Sequence, residues 1–120
     1  MQPTNRTNCW RNFASHQFAI APTGMGWDTH RLWELLFFGT VPIILATPLE
    51  PLLVDAHLPV IIVKKWKDVC TITDEEYTAY SQRYEHWIAN VLLWCGSRLP
   101  PAPHHTRTHA CTHMLCTLLR

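Results

Sequence analysis

A chain of 120 residues with 48% hydrophobic and 16% charged side chains has enough apolar material for one small core and too little charge for a disordered chain. Its formal net charge of +1 comes from scattered Lys and Arg, which excludes the basic field that holds nucleic acid. No run of about 18 apolar residues occurs and residues 1–20 are too polar for a secretory signal, so the sequence presents no membrane span or leader.

Residues 1–11 form a polar N-terminal segment, with Asn5, Arg6, Thr7 and Asn8 close together. A domain is predicted over residues 12–95, opening with the tail of a short helix at residues 12–16. Residues 17–21 then read as a first strand, ended by Pro22.

The next stretch organises the chain. Gly24 and Gly26 permit positive φ and close backbone approach, Asp28 is a good N-cap, and Gly39 followed by Pro42 ends a helix predicted over residues 28–38. At about 100° per residue, Leu32, Trp33, Leu35 and Leu36 cover most of that helix, which leaves one polar strip of His30, Arg31 and Glu34.

A glycine turn opening a helix gathers free N–H groups at the positive end of the helix dipole, and an arginine in the first turn adds a bidentate donor for phosphate oxygens. Such a site suits a diphosphate. One turn on, Glu34 is placed to accept hydrogen bonds from vicinal hydroxyls such as those of a ribose. The same spacing equally describes an ordinary i, i+3 surface pair of Arg31 with Glu34 that steadies the helix by a few tenths of a kcal/mol.

Two further apolar runs, residues 41–45 and 60–63, fit strands of a parallel sheet covered on both faces. Between them, Pro48 and Pro51 leave room for a loop and a short helix, with Glu50 and Asp55 as loop or helix-end acids. Thr73 and Glu76 form a capping box, and Tyr77, Tyr80, Tyr84, Ile88, Val91 and Cys95 follow at helical spacing, which predicts a long helix to about Cys95. The Tyr/Trp stripe, including Trp87 and Trp94, reads as core packing rather than as a sugar platform.

Pro100, Pro101 and Pro103 open a tail over residues 96–120, read as flexible and rich in His, Thr and Cys. His104, His105, His109, Cys111, His113 and Cys116 have ligand-type side chains, but their spacing matches no usual zinc frame, so no metal is assigned. The five cysteines are odd in number and lack framework spacing, which argues against a disulfide scaffold. There is no G-x-S-x-G elbow, Walker A or H-E-x-x-H, and the third glycine of a dinucleotide fingerprint falls at Thr29.

Arg31-Leu32-Trp33-Glu34-Leu35 followed by Gly39-Thr40-Val41-Pro42-Ile43-Ile44 resembles the R-x-x-E-A-L-x-x-G-x-x-P-V block of exostosin-like glycosyltransferases. The likeness extends outward through Ala21-Pro22-Thr23-Gly24-Met25-Gly26, through Thr47-Pro48-Leu49-Glu50 and Leu58-Pro59-Val60, and to Trp66-Lys67-Asp68-Val69, covering roughly residues 12–90. One departure is Leu35, where the family usually has Ala.

The resemblance implies an α/β fold, a Rossmann-like parallel sheet with flanking helices that corresponds to one half of a GT-B architecture. It also implies a nucleotide-sugar donor site with Arg31 near the diphosphate and Glu34 near the ribose, framed by Gly24, Gly26, Asp28 and His30. The expected activity is transfer to a glycan or glycoprotein acceptor, with the nucleotide sugar as substrate, no separate cofactor and a Golgi setting. At this length the chain is expected to be a fragment lacking the acceptor domain, whose activity on its own is uncertain. His30 suits either a base or a group that orients Glu34 or contacts phosphate, and no residue is assigned as catalytic. The competing expectation is a non-catalytic interaction or relic domain, with a metal-binding tail as a lesser variant.

Overall fold

The computed structural model describes residues 5–94. The predicted tail, its His/Cys cluster and the Cys95 end of the long helix lie outside the described residues, as do the side chains of Ile88, Val91 and Trp94.

The architecture is α/β: a parallel sheet flanked by helices, compatible with half of a Rossmann-like domain. In chain order it runs α1 (Arg6–Ser15), β1 (Phe18–Ile20), α2 (His30–Phe37), β2 (Val41–Leu45), α3 (Glu50–Asp55), β3 (Ile61–Val63), a 3-10 helical segment (Trp66–Thr71) and α4 (Asp74–Trp94). The sheet order is β1-β2-β3, both pairings parallel, with Phe18 opposite Val41 and Ile43 opposite Ile61. Each strand is short and apolar on both faces, as a sheet buried between two helical layers requires.

Alternation along the strands sorts the core into two layers. Phe18, Val41, Ile43, Ile61 and Val63 face α4 and pack with Val69 and Tyr77. Ala19, Ala21, Ile44 and Val60 face the other way and pack with Leu32, Leu35 and Leu36 of α2 and Leu53 of α3. The aromatic stripe of α4 is core packing: Tyr77 is buried with its ring 4.9 Å from Phe18, and Tyr80, Tyr84 and Trp87 lean on the same layer.

Pro42 stands in the central strand, a position that usually forbids proline. Val41 N–H donates to Gln17 C=O at 2.8 Å and Ala21 N–H to Ile43 C=O at 2.9 Å, so Val41 and Ile43 address β1. Pro42 therefore turns its nitrogen toward the β3 side, one residue before that ladder begins at Ile43 and Ile61. No ladder bond is lost.

Several boundaries differ from the sequence expectation. The first helix starts inside the polar segment, at Arg6, because Asn5 Oδ1 caps it by accepting from Thr7 N–H at 3.1 Å. α2 starts at His30 instead of residue 28. Its N-cap is Thr29, in extended conformation with no side-chain cap bond, because the Asp28 carboxylate accepts from Trp33 Nε1 instead. Trp33, expected in the apolar face, is 40% exposed, and its indole reaches back to the loop.

Other signals hold. Gly39 takes φ 70 just beyond α2, the left-handed stop expected there. Glu76 Oε2 accepts from Thr73 N–H at 2.8 Å while Glu76 N–H donates to Thr73 Oγ1 at 3.3 Å, so the capping box of α4 is formed in both directions. Glu50 opens α3 and Asp55 ends it.

Candidate functional site

In open α/β sheets, ligands sit outside the carboxyl ends of the strands, where loops diverge and helix N-termini converge. Here residues 21–29 leave the carboxyl end of β1 and run into α2, and residues 46–49 leave β2 and run into α3. Between them is a cleft of about 10 Å³ whose lining includes Ala21, Thr23, Trp27, Thr29, Ile44 and Thr47. That is room for little more than one water.

The cleft lining mixes polar and apolar residues. Thr23, Thr29 and Thr47 are among its lining residues, and Thr47 Oγ1 accepts from Leu49 N–H at 3.3 Å. Trp27, 57% exposed, stands at its mouth beside a fully exposed Met25. The first bond of α2 runs from Leu32 N–H to Thr29 C=O at 3.1 Å, so the amides of His30 and Arg31 precede it.

None of the six residues singled out from sequence lines this cleft. Gly24 and Gly26 are exposed in the loop, and neither adopts positive φ, contrary to expectation. A methyl group on Gly24 would meet only the Thr29 methyl at 3.8 Å, and one on Gly26 would meet nothing within 4 Å. The loop is open enough that its path does not need glycine, so close approach could concern only a molecule laid on it. Asp28 is engaged by Trp33, and His30 is exposed in the first turn of α2.

Arg31 and Glu34 both turn toward α1. The Arg31 guanidinium lies 5.8 Å from the centroid of the Phe13 ring, and Glu34 Oε1 accepts from Arg6 Nη2 at 3.0 Å. Arg6 is 72% exposed and Glu34 26%, so the pair lies at the surface, where water weakens it. The i, i+3 pair of Arg31 with Glu34 is replaced by this longer-range partner.

Residue Leu35, the departure from the family pattern, is fully buried among Ala21, Leu32, Leu36 and Ile44. The larger side chain is absorbed by packing. Among the described residues, no group of three or more His, Cys, Asp or Glu is arranged to hold a metal, and no helix is long and apolar enough to cross a membrane. Cys9 is a free thiol and Cys70 is disulfide-bonded.

Sequence reasoning passed over the threonines that help to line the cleft. Thr23, Thr29 and Thr47 each follow or precede a helix or strand end, which is the signal that could have placed them beside the site. Comparison of the chain with protein-family models and with curated proteins finds no match.

Proposed function

We propose that the chain is a donor-binding portion of a glycosyltransferase, holding a nucleotide-diphosphate sugar at the carboxyl ends of β1 and β2 for transfer to a glycan or glycoprotein acceptor. One observation carries the reading: the loop of residues 21–29 sits at the carboxyl end of a parallel strand and delivers the N-terminus of α2 beside a cleft that Thr23, Thr29 and Thr47 help to line. The order of Arg31, Glu34, Gly39 and Pro42, which resembles the exostosin-like block, adds to it. A Golgi setting belongs to the same reading.

In this account the diphosphate lies over the loop, against the amides of His30 and Arg31, with the Arg31 guanidinium swung from Phe13 to pair with its oxygens. Glu34 exchanges Arg6 for the ribose hydroxyls. A nucleotide pocket of a few hundred Å³ is far larger than the present cleft, so Trp27 and Met25 move aside when the donor enters.

A second reading, a non-catalytic interaction or relic domain, is favoured by a different observation. Two of the polar residues of α2 are already occupied by α1, Glu34 by Arg6 and Arg31 by the face of Phe13.

Calorimetric titration of the chain with UDP and with GDP, beside an Arg31→Ala, Glu34→Ala double variant, separates the two. The donor reading expects binding by the parent of one nucleotide or both, and loss of about tenfold or more in the variant. A folded parent that binds neither nucleotide leaves the interaction domain as the better account.

A further inference from the structure

We infer that the outer edge of β3 takes up an extended, acidic peptide segment of a partner protein as a fourth strand of the sheet. The inference is independent of the donor reading, because the surface concerned lies beside the amino end of β3 and the cleft lies at the carboxyl ends of β1 and β2.

The backbone supplies the first half of the argument. Among the described residues β3 is an edge strand, paired with β2 on one side only. Ala46 N–H donates to Val63 C=O at 2.9 Å, so Val63 addresses β2, and alternation makes Ile61 do the same. Ile62 therefore turns both its N–H and its C=O away from the sheet. An edge that presents such groups is a template for another strand.

The groove supplies the second half. A cavity of about 540 Å³ runs along this edge, with the turn between α3 and β3 on one side and α4 on the other. It continues the plane of the sheet between its two helical layers, the place a further strand would occupy. Tyr84 Oη donates to Val60 C=O at 3.4 Å, so a side chain of α4 already reaches the outward backbone at the mouth of the groove. β3 and its neighbours offer apolar contact through Ile62, Leu58 and Val54.

Charge selects the occupant. Arg83, His57 and His86 line the groove, and no Asp or Glu is among its described lining residues. Arg83 lies over the Tyr84 ring, 5.6 Å from its centroid, which holds the guanidinium at the groove. A strand whose alternate carboxylates turn toward α4 would meet Arg83 and His86 there while its backbone pairs with Ile62.

The test is fluorescence anisotropy of the chain with a fluorescein-labelled seven-residue peptide alternating Val with Glu. It is run beside the same peptide with Lys for Glu and beside one N-methylated at its central residues. Amide exchange at Ile62 is followed by NMR. The inference expects the Glu peptide to bind and to protect the Ile62 amide, and expects N-methylation or Ile62→Pro to weaken binding by about tenfold.

Proline at position 62 removes only an outward N–H, so the ladder to β2 survives. Should Ile62→Pro fail to fold, the exposed Arg83→Glu variant carries the test by preferring the Lys peptide over the Glu peptide. Absence of binding to the folded chain overturns the inference. So does equal binding of the N-methylated peptide, or a dimer of the free chain that Ile62→Pro returns to monomer, which would assign the edge to a second copy.

Discussion

The Thr40 hydroxyl is fully buried and lies 2.7 Å from the Phe13 carbonyl and 3.0 Å from that of His16. It donates to the end of α1 from the residue just before β2, so a single side chain fastens the first helix over α2. Thr40→Val keeps the shape and removes the donor, taking this partner from the His16 carbonyl while the Phe13 carbonyl keeps His16 N–H at 3.1 Å. Denaturant unfolding should show a loss of about 1–3 kcal/mol, and Thr40→Ser should restore most of it. The Arg6 and Glu34 pair acts differently because it is near the surface. Arg6→Ala should cost no more than about 1 kcal/mol by the same measurement. In the donor account the same variant frees Glu34, so nucleotide binding in calorimetry should hold or tighten.

Residue-scale chemistry also decides what could be read in advance. The capping box of Thr73 with Glu76 and the stop at Gly39 depend on neighbours three residues away or fewer, and both are legible in the bare sequence. Asp28 is a good N-cap by type, yet it is engaged by the indole of Trp33, five residues on, and Thr29 is the N-cap of a helix that starts at His30. The partner of Glu34 is 28 residues away, beyond the reach of any spacing argument.

The helices differ in how much local signal holds them. α4 starts with a complete capping box and covers one face of the sheet through Tyr77, so its first turn matters to the whole layer. Thr73→Ala should lower stability by about 0.5–2 kcal/mol in chemical unfolding. α2 has no side-chain cap bond and depends on burial of Leu32, Leu35 and Leu36 against β2. Leu35 is central to that contact, and Leu35→Ala should cost about 2–5 kcal/mol, the larger figure if the space left behind does not collapse. A cost near zero would show that alanine, the residue of the family pattern, is equally suited to this core.

Strand periodicity carried the sheet. Residues 41–45 form β2 with the expected bounds, and the other strands fall within the predicted runs. What periodicity could not carry is sheet order, and therefore which strand is left at an edge. The groove along β3 follows from that order and from the pitch of α4, neither of which is written in a run of apolar residues.

At the scale of the whole molecule, the described chain is a three-stranded parallel sheet between an α4 layer and an α2/α3 layer, with two distinct surfaces at its open margins. One is the cleft between the loop of residues 21–29 and residues 46–49, and the other is the edge of β3. The central claim is that the first of these receives a nucleotide diphosphate. It is tested most directly by titrating the isotopically labelled chain with UDP and with GDP and following backbone amide shifts by NMR. The account predicts shifts concentrated in residues 23–34, with the indole signal of Trp27 moving and the groove along β3 silent. No shift with either nucleotide, or shifts confined to residues distant from that loop, would contradict it.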